Sequence, residues 1–305
     1  MISSEFCVVG AGAVGNALSM YLFAGSSEPP LLIVRSRGTY ETLREKRHVR
    51  VEAQGREVFV PVEVALPDHH VSCHHIFNAV KAYDVASTIE FMKRSAGPRS
   101  SVVMLQNGFG AFEAAAEALP HVNVAAGVVY FGAEKKAVDH VAVHGTCSLV
   151  IGSPRGPWPE LIGAAEVLRR GGCDVRVVGD VDLYRWLKLA VNAVINPLTA
   201  IAKAKNKIVL DERARALVEA IVDEVVEAAS ASGYLLDRDR LVKHVLDAAA
   251  QTADNLSSMA QDVLAGRRTE IDFINGFVAG VLRRRGKEWS VNRVLAELVH
   301  LLEAL

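Results

Sequence analysis

The chain has 305 residues, half of them hydrophobic, with 34 basic and 35 acidic side chains and a formal net charge of -1. That length suits about two domains with room for a large core. The charge balance argues against nucleic acid or an anionic membrane as the main partner, and the apolar runs are too short and interrupted for a membrane span. Residues 1–10 read as a buried strand entering a glycine turn, without the basic start or cleavage site of a secretory signal. The cysteines, Cys7, Cys73, Cys147 and Cys173, lie far apart with no paired spacing. They read as reduced, packed thiols of a cytoplasmic protein.

Phe6 to Gly10 is a short apolar run of β-formers. Gly10-Ala11-Gly12-Ala13-Val14-Gly15 follows, and then a segment of helical composition from Asn16. In this strand–turn–helix setting the first glycine permits a tight turn, and the second lets a pyrophosphate approach the backbone. The third lets helix and strand pack closely, and free N–H groups at the helix start face the phosphates. Leu31 to Val34 is the next strand, ending in Arg35-Ser36-Arg37. An NAD site would place an acidic residue there for the ribose 2′-hydroxyl. An arginine instead suits the 2′-phosphate of NADP, because its planar fork can engage two phosphate oxygens.

Residues 39–49 read as a helix and residues 48–64, with Gly55, as a hairpin. His69-His70-Val-Ser-Cys73-His74-His75 could offer imidazole and thiolate to a metal, but its spacing matches no standard site and it reads as a solvated loop. The strand after it, residues 75–80, leads into Lys81, at the carboxyl end where open α/β sheets bind ligands. Residues 85–94 read as a helix and 101–105 as a strand ending in Gln106-Asn107-Gly108. Residues 111–119 read as a helix, 122–132 as strand-like, 141–152 as a hairpin arm, 160–170 as a helix and 173–178 as a strand.

After Gly179 strand signals vanish and long helical patterns follow one another. Among them, Thr269-Glu270-Ile271-Asp272 reads as a capping box. The expected fold is therefore α/β, with a Rossmann-type NADP-binding domain over residues 1–179 and an all-helical domain over residues 180–305. The helical segment from Lys188 to Pro197 carries Lys188, Asn192 and Asn196 at i, i+4 and i+8. Successive steps of four turn about 40° past a full circle, so the three share a sector of roughly 80°. An ammonium and two carboxamides in register on an apolar helix point to a polar ligand. Left unpaired, such groups cost about 1–3 kcal/mol each.

Taken together these residues resemble the ketopantoate reductases (2-dehydropantoate 2-reductases). The shared features are Gly10 to Gly15, Ala79-Val-Lys81-Ala, Gln106-Asn107-Gly108, and the strand around Gly127 leading to Ala133. The helical half adds Lys188…Asn192…Asn196-Pro197-Leu-Thr, Ser257-Ser258-Met259…Gln261-Asp262 and Thr269-Glu270-Ile-Asp272…Asn275-Gly276. The resemblance implies a Rossmann domain and a helical domain of the 6-phosphogluconate dehydrogenase type, with an active site between them. It implies reduction of 2-dehydropantoate to (R)-pantoate with NADPH on the pantothenate route to coenzyme A. A paralogous NADP-dependent dehydrogenase of another bulky 2-oxo acid is the alternative, and a non-catalytic NADP-binding sensor a more remote one.

By resemblance Lys188 is the general acid, and Asn107, Asn192, Asn196, Asn206 and Ser258 hold the substrate. Gly10, Ala11, Gly12, Ala13, Val14, Gly15, Arg35, Lys81, Asn107, Ala133 and Glu270 contact NADP(H). Glu270 could orient either Lys188 or the ribose. No metal is expected, and a homodimer is left open as the assembly. For Lys188 to act near neutral pH, burial or a like charge must lower its pKa from about 10.4.

Overall fold

The computed structural model describes residues 2–154 and 156–304. The chain forms two compact units. The first runs through Gln106 and resumes from Ala111 to Val181; the second takes Asn107–Gly110 and continues from Asp182.

In the first unit the strands are β1 (Ile2–Val9), β2 (Leu31–Ile33), β3 (His48–Ala53), β4 (Arg56–Pro61), β5 (Glu63–Ala65), β6 (Val71–Asn78), β7 (Ala96–Met104), β8 (Asn123–Val129), β9 (Gly132–Ala137), β10 (His140–His144), β11 (Ser148–Gly152) and β12 (Asp174–Val178). The helices are α1 (Ala13–Ser26), α2 (Arg37–Lys46), α3 (Ile89–Ser95), α4 (Ala111–Ala118) and α5 (Pro159–Arg170). An eight-stranded sheet has the order β12-β11-β8-β7-β6-β1-β2-β5, and a four-stranded sheet the order β4-β3-β10-β9. The run from β8 to β5 is parallel throughout. Its central strands are apolar on both faces, as a sheet sandwiched between helices requires: Phe6 to Val9, Leu31 to Ile33, and Ile76 with Phe77 are all buried.

Three expectations change here. The hairpin at residues 48–64 forms as β3 and β4. The hairpin arm expected over residues 141–152 is split in two: β10 pairs antiparallel with β9, as such an arm does, and parallel with β3, whereas β11 lies in the other sheet. The helix expected over 85–94 begins as a 3-10 turn, Ala82–Thr88, before α3. The cysteines are disulfide-bonded rather than reduced. Cys7 joins Cys73 with their Cα atoms 6.0 Å apart, and Cys147 joins Cys173 at 4.8 Å. Spacing along the chain hid both pairs. The partners meet because β1 lies beside β6, and because Cys147 and Cys173 immediately precede the paired strands β11 and β12.

The second unit holds α6 (Asp182–Ala202), α7 (Arg215–Ala231), α8 (Arg238–Gln251), α9 (Ser258–Leu264), α10 (Asn275–Arg284) and α11 (Val291–Glu303). Its core gathers Trp186, Leu189, Ala193 and Val194 of α6 with Val218, Ile221, Val222 and Val225 of α7, and with Val278 of α10 and Val299 of α11. The capping box expected at Thr269 is not formed. Residues Ile271–Phe273 make a 3-10 turn ahead of α10, so Thr269 Oγ1 accepts from Ile271 N at 3.2 Å, while Asp272 faces Arg268 and His300. Among the described residues no helix is long and apolar enough to cross a membrane.

Helix α6 runs 21 residues and passes straight through Pro197. A proline has no N–H to give the carbonyl four residues back, which here belongs to Ala193. Asn275 Nδ2, from the start of α10, donates to Ala193 O at 2.9 Å and replaces the missing bond. The same amide donates to Asn292 Oδ1 at 2.9 Å, and Asn292 donates to the buried Glu224 carboxylate at 2.8 Å. Glu224 also accepts the backbone N–H groups of Val291 and Asn292, closing the start of α11. One buried polar chain thus fixes α6 against α7, α10 and α11.

Candidate active site

At the carboxyl end of β1 the glycine turn is dictated by sterics. Gly10 has φ +101, and a Cβ there would lie 2.9 Å from Val80 Cγ1. A Cβ on Gly15 would lie 2.0 Å from the Gly10 carbonyl oxygen, so no side chain fits. Gly12 is the N-cap of α1, and a Cβ on it would meet only Ala79 O at 3.9 Å, which leaves open space beside the turn. Asn16 N is the first to bond back along α1, to Gly12 O at 3.0 Å. The N–H groups of Ala13, Val14 and Gly15 therefore have no intrahelical acceptor, which is the arrangement that receives phosphate. A dinucleotide's pyrophosphate fits this cradle.

Arg35 follows β2 and is largely exposed. Its Nη1 donates to Asp84 Oδ1 at 2.9 Å, from the 3-10 turn after β6. Lys81 is the N-cap of that turn, and Ala133 is the second residue of β9. Sequence reasoning gave no role to two residues here. Lys135 Nζ donates to Ala11 O at 2.8 Å, placing a cation directly on the glycine turn. Gln106 Nε2 reaches Asn78 O at 2.9 Å and Val80 O at 3.0 Å, bracing the ends of β6 and β7. The Asp84 partnership had no local signal, since 49 positions separate it from Arg35.

In the second unit the segment Asn107–Gly110 is pinned by contact. Gly108 has φ +80, and a Cβ on it would lie 1.9 Å from Phe273 O. Phe109 N donates to that same carbonyl at 3.0 Å. The Phe109 ring stacks on Phe277 at 4.8 Å and lies 4.7 Å from Trp186, with the Arg185 guanidinium 4.0 Å from its centre. Arg185 also donates to Asp182 at 2.7 Å and to Gly108 O at 3.2 Å. This scaffold holds Asn107 so that its Nδ2 donates to the buried Glu270 carboxylate at 3.0 Å.

Lys188 sits partly buried on α6, and burial lowers its pKa to about 8. The Glu270 carboxylate opposes that shift, favouring the charged ammonium. Asn107, Glu270 and Lys188 therefore form one constellation. Asn192, partly buried, and Asn196, buried, follow Lys188 along the helix at successive steps of four residues. Ser257 N-caps α9, accepting from Ala260 N at 3.0 Å, and shares a 2.7 Å hydrogen bond with Thr199 of α6. It is therefore structural, whereas Ser258, the first residue of α9, is exposed. The Asn206 amide can be oriented from its neighbours. The Thr252 hydroxyl gives its proton to Ala248 O at 2.8 Å, so it must accept from Asn206 Nδ2 at 2.9 Å. Asn206 Oδ1 is left buried without a protein partner, as an acceptor.

A parallel sheet with a phosphate-ready glycine turn, together with a helical unit holding a low-pKa lysine beside a carboxylate, is the plan of a dinucleotide-dependent oxidoreductase. Sequence models described as ketopantoate reductase PanE/ApbA and ketopantoate reductase PanE/ApbA C terminal match residues 6–156 and 180–303. The chain belongs to the ketopantoate reductase family. It is 34% identical to the 2-dehydropantoate 2-reductase of Pyrobaculum aerophilum, over 98% of each chain. A PanE/ApbA family ketopantoate reductase from Ralstonia eutropha superposes with a TM-score of 0.87 at 28% identity, over 99% of each chain. A D-mandelate dehydrogenase solved with NADH and anilino(oxo)acetate superposes at 0.89 over 99% of this chain and 98% of its own, but at 22% identity it speaks to the fold alone.

Proposed function

We propose that this chain reduces 2-dehydropantoate to (R)-pantoate with NADPH, and that Lys188 is its general acid. The observation that carries the reading is Lys188 itself, its pKa lowered to about 8 by burial while Glu270 keeps the ammonium available. The nicotinamide cofactor supplies a hydride to the carbonyl carbon. Negative charge then builds on the carbonyl oxygen, and the Lys188 ammonium stabilises that charge and gives up its proton. A lysine with an unshifted pKa would give up the proton less readily near neutral pH, so the burial serves the chemistry.

Asn192 and Asn196 offer neutral amide donors to the carboxylate of a 2-oxo acid without adding a competing charge. Ser258 adds a hydroxyl. Asn206 contributes its unpartnered Oδ1, which can only accept and so suits a substrate hydroxyl. Asn107 keeps Glu270 in place. Gly10 to Gly15 receive the pyrophosphate, with Lys81 and Ala133 as further cofactor contacts. Arg35 reads the 2′-phosphate. Its pair with Asp84 is mostly exposed and worth at most about 1 kcal/mol, so a phosphate group can displace or join it.

NADPH consumption on adding 2-dehydropantoate, followed by absorbance, tests the reading directly. Turnover with that substrate above other 2-oxo acids is expected. Turnover with a different bulky 2-oxo acid and none with 2-dehydropantoate would replace it with the paralogous dehydrogenase.

A further inference from the structure

At the amino ends of β1, β6 and β7, the edge of the sheet opposite the glycine turn, a cavity of about 480 Å³ opens between the strands. Glu5 and His74 line it. Adjacent strand residues normally point to opposite faces. Here the β6–β7 pairing is irregular between Cys73 and His75, and the rings of His74 and His75 come within 4.4 Å of each other. One nitrogen from each ring and a Glu5 carboxylate oxygen all lie within 4.8 Å of one another.

The His75–Glu5 separation fits a shared ion better than direct pairing. His75 Nε2 and Glu5 Oε1 are 3.6 Å apart, too far for a hydrogen bond. Two ligands each about 2.1 Å from a tetrahedral ion stand roughly 3.4 Å apart. The buried His75 ring is already set for ligation. Phe6 stacks on it at 5.3 Å, and its Nδ1 bonds Ser101 Oγ at 2.8 Å. In the tautomer whose Nδ1–H donates to the hydroxyl, the Nε2 lone pair faces Glu5, the outer-shell arrangement that fixes a metal-binding histidine. The other clustered triad, Glu52, Glu57 and His140, lacks this freedom: both His140 nitrogens are engaged, by Arg50 at 2.7 Å and Glu52 at 2.7 Å.

We propose that Glu5, His74 and His75 bind one divalent transition-metal ion of the zinc class, tying β1 to β6. Two imidazoles and a carboxylate are suitable zinc ligands and leave a coordination position open to the cavity. Glu5 precedes the glycine turn by a stretch of β1 about 16 Å long at ~3.3 Å per residue, so the ion stands apart from the phosphate cradle.

The test is calorimetric titration of zinc chloride into the chelator-treated full-length protein, with cobalt(II) as a spectroscopic substitute. One ion per chain is expected, with a visible cobalt band and a raised melting temperature. Glu5→Gln and His74→Ala, both at accessible positions, should weaken binding by more than the ~10–100-fold that loss of an outer-shell partner costs, and Ser101→Ala by about that amount. Glu57→Gln and His69→Ala should leave it unchanged, and circular dichroism melts confirm that each variant is folded. Absence of saturable one-to-one binding overturns the proposal. So does binding that survives both Glu5→Gln and His74→Ala, or that is lost in either control.

Discussion

The glycine turn, from Gly10 to Asn16, prepares the phosphate site by leaving side chains out: a Cβ on Gly15 would sit 2.0 Å from a carbonyl oxygen. In the helical unit the opposite holds. Asn107 and Glu270 are 163 positions apart, and their site is made by supplying polar groups and bringing partners to them. A site built on missing atoms can be carried by a short contiguous motif. One built on buried charge needs a scaffold, here the Phe109–Trp186–Phe277 cluster and the Asn275–Asn292–Glu224 chain.

The sharpest way to break this comparison is at Lys188. Lys188→Ala should lower turnover by about 10²–10⁴-fold while leaving NADPH affinity nearly intact, since the phosphate cradle belongs to the other unit. Single-turnover kinetics and a binding titration separate the two. In the wild type the reductive rate should fall as pH rises through about 8, where the ammonium deprotonates, and that limb should be absent in the variant. Stability carries the same signature. Between pH 8 and 10.5 the unfolded chain holds a proton that the folded one has lost, so wild-type stability relative to Lys188→Met should rise with pH across that window. A flat difference would mean that the lysine is not desolvated.

Asn275→Ala tests the scaffold. It orphans two buried acceptors, Ala193 O and Asn292 Oδ1, and should cost about 2–4 kcal/mol in urea unfolding. A loss below ~1 kcal/mol would show that the proline is accommodated some other way. Arg35→Ala should narrow the preference for NADPH over NADH by roughly ten- to a hundredfold in kcat/KM. An unchanged ratio would pass the role to Lys135 or Arg37. The smallest effect expected is from Glu270→Gln, which keeps an acceptor for Asn107 but removes the charge that raises the Lys188 pKa. The alkaline limb should move to lower pH.

Legibility in the sequence followed the same division. The glycine turn and the strand-to-helix change near residue 180 were readable because each depends on neighbours in the chain. The stripe of Lys188, Asn192 and Asn196 was readable because helical periodicity is local. The roles of Glu270 and Asn107 came through family resemblance alone, and nothing local announced that one donates to the other. Pairings across the sheet were invisible for the same reason. Cys7 and Cys73 are 66 positions apart, Arg35 and Asp84 are 49, and the placement of β10 and β11 in separate sheets reverses what their closeness in sequence suggests. The lowered pKa of Lys188 was foreseen as a need. Its cause, burial opposed by Glu270, required coordinates.

Pro197 has a consequence for the order in which the chain folds. In an unfolded or nascent chain α6 cannot complete its own ladder, because the donor that closes the gap at Ala193 arrives with Asn275, 82 positions later. The segment from Asp182 to Ala202, excised as a peptide, should be helical at most on either side of a break. Its continuity is acquired when α10 docks. If that docking is late, Asn275→Ala should mainly accelerate unfolding and leave the folding rate nearly untouched. The continuous helix that aligns the lysine with its two asparagines is then a product of tertiary assembly rather than a nucleus for it.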